Sequence, residues 1–398
     1  MPLRVAYITH YPELYGANRS MLDLLLELRQ RGEVDPIVLL PRPGALTGVL
    51  DDAGVPWFIE PFKPWMSERY YSGHIHHRIG QYLRQERAAR DRARENRDVL
   101  PRIAEHLRDA GTQLVHANSS VVGIAPQLAR TLGVPLVWHI RELPERQYLL
   151  HLDAGRRRYG AALREAVRLI AISAAVRQDI VRYTGAAGNI TLIPNGVLHQ
   201  ARYAAVRAQC AERWKRTSPF TFVLVGLIHP SKGQVEAVEA LELVRAQRPE
   251  ARLLIAGEGR DEALRSTIAR TGQQEAVELA GFVQDPYTVF ARGHVLLMCS
   301  RNEAMGRVTV EAMATGMPVI GHASGGTQEL VQEEVNGLLY PGGAATLAER
   351  MLRMIDDPAK AKTMGDRASA LAEERFSIER YASSVLEVYH AVHSSKVH

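Results

Sequence analysis

Residues 294–329 read HVLLMCSRNEAMGRVTVEAMATGMPVIGHASGGTQE. The apolar run HVLLMCS (294–300) has the length and continuity of a strand covered on both faces. A glycine-containing loop, Ala304-Met305-Gly306, leads into a helical segment. The strand MPVIGHA (317–323) follows, and a second glycine loop, Ser324-Gly325-Gly326, closes the stretch. Strand, loop, helix and strand in this order form the repeating unit of a parallel sheet with crossover helices.

The same rhythm extends in both directions. FTFVLVG (220–226), ARLLIAG (251–257), VELAGF (277–282) and GLLYP (337–341) are further strand signals around the opening stretch. In the N-terminal half, LRVAYIT (3–9) precedes a helix at about 18–30 that carries Met21, Leu22, Leu24, Leu25 and Leu28. VDPIVLL, VPWFIE, QLVHAN, PLVWHI, RLIAIS and ITLIPN supply the remaining strands. The alternation breaks over 197–218, which has no strand signal and runs into Ser218-Pro219. The pattern predicts two doubly wound α/β domains, 1–196 and 219–376, with 197–218 as the connection between them. A helical tail begins near 344, with amphipathic segments at 344–356 and 377–393. Two such domains leave a cleft, and ligands of open α/β sheets bind beyond the carboxyl ends of the strands.

The bulk numbers fit that reading. The chain has 398 residues, 46% hydrophobic and 23% charged, the composition of an ordinary globular protein of about two domains. Forty-nine Lys and Arg against 44 Asp and Glu give a net charge of +5. This suits small anionic ligands or an anionic surface without demanding nucleic acid, for which no motif is present. Two distant cysteines, Cys210 and Cys299, offer neither a disulfide framework nor metal spacing and predict a reducing, cytoplasmic setting. MPLRVAYITHYPE has no charged n-region followed by an apolar core, so no secretory leader is predicted. No apolar run reaches the roughly 20 residues of a membrane span.

Segment 78–109 departs from the rhythm. It carries nine arginines (78, 84, 87, 90, 92, 94, 97, 102 and 108) interleaved with Glu86, Asp91, Glu95, Asp98 and Glu105. It reads either as a solvated helix with intrahelical ion pairs or as a basic surface for anionic lipid, that is, a peripheral membrane contact. Pro61, Phe62, Pro64, Trp65, Tyr70 and Tyr71 precede it, as a loop near the cleft or as packing.

The chemistry-bearing positions fall after strands. Glu303 lies in the loop after HVLLMCS, and Glu311 eight positions on lies about one turn into the next helix. The backbone amides of Met305, Gly306, Arg307 and Val308 stand between them. Carboxylates bind hydroxyls and helix N-termini bind phosphates, so the pair suits a nucleoside diphosphate joined to a sugar. In VGLIHPSKG (225–233), Gly226 ends a strand, and Lys232 stands where a helix opens and can reach a diphosphate. Gly325 and Gly326 permit close approach by a ligand, or simply make a tight turn. In the first half, Tyr15-Gly16-Ala17-Asn18 opens the first helix, and His139 ends a strand in WHIRE (138–142), as a ligand contact or as a structural histidine.

Together these residues resemble the retaining glycosyltransferases of family four, over nearly the whole chain. The most specific part is EAMGRVTVE (303–311) with its flanks and Gly325-Gly326. YGANRSMLDLL (15–25), IAISAAV (170–176), LIPNGV (192–197), LLIAGEG (253–259) and FSIERYASSVLEVY (376–389) support it. The resemblance implies two Rossmann-like domains facing a central cleft, the GT-B arrangement. The first domain takes the acceptor and the second the nucleotide sugar, and helix 377–398 crosses back to the first. It also implies roles. Glu311 would bind the ribose, Glu303 the donor sugar, and the amides of Met305 to Val308 the sugar and diphosphate. Lys232 would neutralise the diphosphate, Gly16 would admit the donor phosphates, and His139 would lie near the reacting carbon.

The implied reaction moves a sugar from a nucleotide donor, UDP ahead of GDP, to a hydroxyl of a glycan, lipid-linked or small-molecule acceptor, as in polysaccharide assembly. It retains the anomeric configuration and needs no metal or other cofactor; no Asp-x-Asp motif is present. Three positions depart from the family. Leu227 replaces an arginine, which leaves Lys232 alone at the diphosphate unless Arg307 helps. Ala304-Met305 replaces Gly-Phe and reshapes the sugar pocket. Leu198 stands where an aspartate is usual. An epimerase or phosphorylase on the same architecture, and a non-catalytic nucleotide-sugar-binding subunit, are the rival readings.

Overall fold

The computed structural model describes residues 1–69, 74–216 and 218–394; Tyr70 and Tyr71, singled out above, lie outside the described residues. Fifteen strands occur among them: β1 (Leu3–Ile8), β2 (Val34–Leu40), β3 (Trp57–Ile59), β4 (Met66–Glu68), β5 (Leu114–Ala117), β6 (Leu136–Ile140), β7 (Leu150–Leu152), β8 (Arg168–Ala171), β9 (Ile190–Leu192), β10 (Thr221–Val225), β11 (Arg252–Ala256), β12 (Val277–Gly281), β13 (Val295–Met298), β14 (Val319–His322) and β15 (Gly337–Tyr340). The chain divides into two units, Met1–Gly196 with Ile378–His398, and Val197–Ser377.

The first unit holds a seven-stranded parallel sheet in the order β3-β2-β1-β5-β6-β8-β9. β1 is an interior strand, with Tyr7 opposite both Val38 and His116. The sheet's inner strands β5 and β6 are buried on both faces, as their apolar runs require. The helix Gly16–Gln30 packs on this sheet through Met21, Leu24, Leu25 and Leu28. The helix Ile378–Ser394 joins the same core through Tyr381, Val385, Tyr389 and Val392, one stripe at helical spacing. β4 and β7 form a separate antiparallel pair, which the sequence reading did not contain.

The second unit has six parallel strands in the order β12-β11-β10-β13-β14-β15. Renumbered within the unit, this is 3-2-1-4-5-6, the doubly wound order whose connections reverse between its first and fourth strands. Phe222, Leu224, Leu253, Leu297 and Ile320 meet Leu241 and Leu347 in its core.

Of the segment 197–218, expected as a connection, residues 197–216 are folded into this unit. Helix Tyr203–Cys210 buries Tyr203, Val206 and Cys210. Tyr203 donates its hydroxyl to the Ala372 carbonyl (3.1 Å), and buried Arg213 donates to Thr315 Oγ1 (2.9 Å). The apolar positions recur at three and four residues, so the segment is a short amphipathic helix despite its polar composition.

Among the described residues, no helix is long and apolar enough to cross a membrane. The basic segment is one helix, Ile75–Asp109, longer at its start than expected.

Candidate active site

The reversal between β10 and β13 opens a crevice at the carboxyl ends of the second unit's strands, and the loops leaving these two strands carry the predicted residues. After β10, Gly226 has φ +152°, and its amide donates to Ala256 O (2.9 Å). Leu227 is exposed, and its carbonyl accepts from Gln234 Nε2 (2.9 Å). A single 3-10 turn, Pro230–Lys232, follows, and Gly233 at φ +74° starts helix Gln234–Arg245. A Cβ on Gly233 would lie 2.6 Å from Cys299 Cβ, so the turn sits against the end of β13. The Arg301 amide reaches Ser231 O (3.3 Å) and ties the two loops together.

That tie brings Lys232 to Glu303: Nζ lies 2.6 Å from Oε2, with both side chains largely buried. A charged pair this close is held by a charge-assisted hydrogen bond. The loop carrying Glu303 is braced from β14. Ser324 Oγ accepts from the Asn302 amide (2.8 Å) and lies 2.8 Å from His322 Nδ1. The Gly326 amide donates to Glu303 O (2.7 Å). A Cβ on Gly325 would come within 2.4 Å of Glu303 O, and one on Gly326 within 2.3 Å of Ala304 O. The second-loop glycines thus admit the neighbouring backbone. Ala304 and Met305 are buried.

Gly306, at φ +88°, turns the chain into helix Arg307–Ala314. The first amides of a helix have no intrahelical carbonyl to bind, which suits an anion. Arg307 and Glu311 lie one turn apart on this helix. Arg307 Nε donates to Glu311 Oε1 (2.8 Å), and Nη2 donates to the Val197 carbonyl (3.2 Å). Glu311 is only 1% exposed. The guanidinium considered above as a helper for Lys232 at the diphosphate is engaged with this carboxylate.

In the first unit, His139 belongs to a polar network that reaches the residues next to Gly16. Gly16 is the first residue of its helix, and a Cβ there would meet nothing within 4 Å. Two residues on, Asn18 is fully buried, accepts from Thr9 Oγ1 (2.6 Å) and donates to the carbonyls of Tyr11 and Glu13 (2.8 Å each). Asn118, at the end of β5, donates to Ala17 O (3.2 Å) and accepts from Arg141 Nε (2.8 Å). Arg141 also donates to Asn195 Oδ1 (2.5 Å), to the Tyr381 hydroxyl (2.9 Å) and to His139 Nδ1 (3.3 Å).

A guanidinium only donates, so His139 Nδ1 is the acceptor and its ring proton sits on Nε2. That Nε2 is buried and has no hydrogen-bond partner among the described residues. Burial, then the charge of Arg141 and the neighbouring His116, hold His139 well below the ordinary histidine range, so it is neutral. His116 is held low in the same way, with Nδ1 2.7 Å from the Tyr389 hydroxyl. Asn18, Asn118, Arg141 and Asn195 carry this network, and sequence reading gave none of them a role. Each lies in a motif at a strand end or helix start, which is the only local signal they have.

Two family models match the chain: one described as glycosyl transferases group 1 over residues 209–370, and one described as Glycosyltransferase Family 4 over 15–200. A D-inositol 3-phosphate glycosyltransferase of Arthrobacter sp. (strain FB24) is 32% identical over 318 residues, 73% of each chain. An alpha-D-kanosaminyltransferase of Streptomyces kanamyceticus is 24% identical over 322 residues, 76% of this chain and 80% of its own. The solved structure of Anabaena HepE in complex with UDP has a TM-score of 0.76 at 23% identity, covering 98% of this chain and 100% of that one.

Proposed function

The chain belongs to glycosyltransferase family 4 and is a glycosyltransferase with a nucleotide-sugar donor; on that premise we propose that it is a retaining, metal-independent enzyme that uses a UDP-sugar. The observation that carries this reading is the Lys232–Glu303 pair at the strand-order reversal, beside a helix start with buried Glu311 one turn inside.

Each group has a task in the reaction. Lys232 and the first amides of helix Arg307–Ala314 take the diphosphate and the charge that develops as it leaves. Glu311 accepts the ribose hydroxyls, and Glu303 a hydroxyl of the sugar. His139, as the Nε2–H tautomer, donates to the donor sugar. The bond from the anomeric carbon to the phosphate oxygen breaks, and a bond to the acceptor oxygen forms on the same face. The acceptor proton passes to the departing phosphate. Two positive elements, one lysine and one helix terminus, supply the stabilisation that a divalent ion would otherwise give. UDP is supported by the HepE complexes with UDP and UDP-glucose, whose fold this chain shares. The acceptor is a hydroxyl of a glycan, a lipid-linked intermediate or a small molecule. The reading places the protein in the cytoplasm, in peripheral contact with a membrane.

A thermal-shift screen across UDP-, GDP-, ADP- and dTDP-sugars tests the donor. A ligand at a hundred times its dissociation constant adds about 2.7 kcal/mol of stability, and UDP-sugars are expected to give the largest shift. Turnover should survive EDTA. A strict divalent-metal requirement would overturn the metal-free mechanism.

A further inference from the structure

The helix Ile75–Asp109 is anchored along only part of its length. From Gln85 onward its inner face is buried through Ala89, Asn96, Val99, Ile103 and Leu107. Gln85 donates to Glu68 O (2.6 Å), Asn96 exchanges hydrogen bonds with the Lys63 backbone, and Arg92 pairs with Asp153 at 2.6 Å. None of residues 75–84 is buried. Yet these first turns carry Ile75, Ile79 and Leu83, exposed at 75%, 55% and 61%.

The three aliphatic residues continue into a line of arginines. Positions 75, 79, 83, 87, 90, 94 and 97 step by three or four and form one stripe along the helix. Its outer half is Ile, Ile, Leu, and its inner half is Arg87, Arg90, Arg94 and Arg97. All four arginines are exposed, and none has an ion pair or side-chain hydrogen bond among the described residues. Of the nearby acids, Glu86 is 2.9 Å from His151, Glu95 faces Lys63 at 3.5 Å, and Asp91 and Asp98 make no ion pair with these arginines among the described residues.

We propose that this stripe is a docking surface for an anionic lipid bilayer, with Ile75, Ile79 and Leu83 inserted among the acyl chains and the four arginines on the headgroup phosphates. This deepens the peripheral contact proposed above and rests on it. A stripe that is half aliphatic and half cationic matches a medium that is apolar beneath an anionic surface. A soluble polyanion would engage the arginines and leave the aliphatic residues in water. Guanidinium groups suit phosphate oxygens, to which they donate in a fork.

Vesicle co-sedimentation tests this, using phosphatidylcholine alone or mixed with phosphatidylglycerol. The wild-type chain is expected to sediment with the mixed vesicles only, and less so as salt is raised. The variants Ile75→Ser/Ile79→Ser/Leu83→Ser and Arg87→Gln/Arg90→Gln/Arg94→Gln/Arg97→Gln should each lose about tenfold or more in vesicle affinity. Both should keep the wild-type melting temperature and donor-induced shift, because these side chains are exposed and outside the donor site. Equal binding to both vesicle types, or full binding by the aliphatic triple variant, overturns the proposal. Heparin binding by the wild type without vesicle binding overturns it in favour of a polyanion partner. A missing donor shift in the wild type counts against the donor reading and leaves the vesicle result standing.

Discussion

In the proposed mechanism Lys232 binds the diphosphate, while in the structure its ammonium faces Glu303 at 2.6 Å. A diphosphate brings more negative charge than one carboxylate, so under that proposal donor binding would compete for the lysine and free Glu303 to meet a sugar hydroxyl. Lys232→Ala should lower kcat by about a hundredfold or more in steady-state assays, with Lys232→Arg recovering part of the loss. An alanine variant at wild-type kcat would remove Lys232 from the chemistry. Arg307 makes a sharper case. Its Nε holds Glu311, so Arg307→Ala should raise the donor KM about tenfold while kcat changes little, and should cost roughly 3 kcal/mol in urea unfolding through a broken buried pair. A drop in kcat at unchanged KM would return Arg307 to the diphosphate. The positions of Lys232, Glu303 and Glu311 are legible in the sequence because each follows an apolar run and lies close to a glycine of the loop that leaves it. The partner of Arg307 is not, since an arginine in a first helical turn reads as solvated until tertiary burial closes around it. The Arg141 network is hidden for the same reason: Asn118, Asn195 and Tyr381 are far apart in the chain and meet only in the fold.

At the level of elements, strands rich in apolar residues announce themselves, and every strand of the two parallel sheets falls within a segment that the sequence marks as a strand. β4 and β7 do not, because three-residue strands in a polar, aromatic segment have no period to detect. Helix Tyr203–Cys210 was hidden by its charged neighbours. The glycine loops show what sequence leaves open, since a glycine reads equally as a ligand approach or as backbone crowding. Gly325 resolves to crowding, with φ +59° and Glu303 O 2.4 Å from any Cβ. Gly185, at φ +73° with nothing within 4 Å, is a natural control. Gly185→Ala should cost about 1 kcal/mol of backbone strain. Gly325→Ala should cost more, and should also weaken donor binding by displacing the loop that carries Glu303. Equal stability losses in the two variants, with donor affinity intact, would show that the brace does not position Glu303.

For the molecule as a whole, buried histidines set an acid limit. His10 is pulled down to about 3 by burial, and burial, then Arg141, holds His116 and His139 well below the ordinary 6.5. Such a histidine takes up its proton more readily in the unfolded chain. It is therefore without effect above about pH 6.5, and it destabilises the fold progressively as pH falls from there toward the folded-state value. Urea midpoints should drop between pH 7.5 and 5.0, before most carboxylates titrate; a flat profile over that range would contradict the burial of these rings. Connectivity has a further consequence. Helix Ile378–Ser394 completes the core of the first unit with Tyr381, Val385 and Tyr389, yet the whole second unit, Val197–Ser377, lies between it and the rest of that core. Domains commonly fold in the order of their synthesis. Here a growing chain emits most of the first unit, then all of the second, and only then the helix that seals the first. On the ribosome the half begun first is finished last, so its sheet waits for a cover while the later half is already closed.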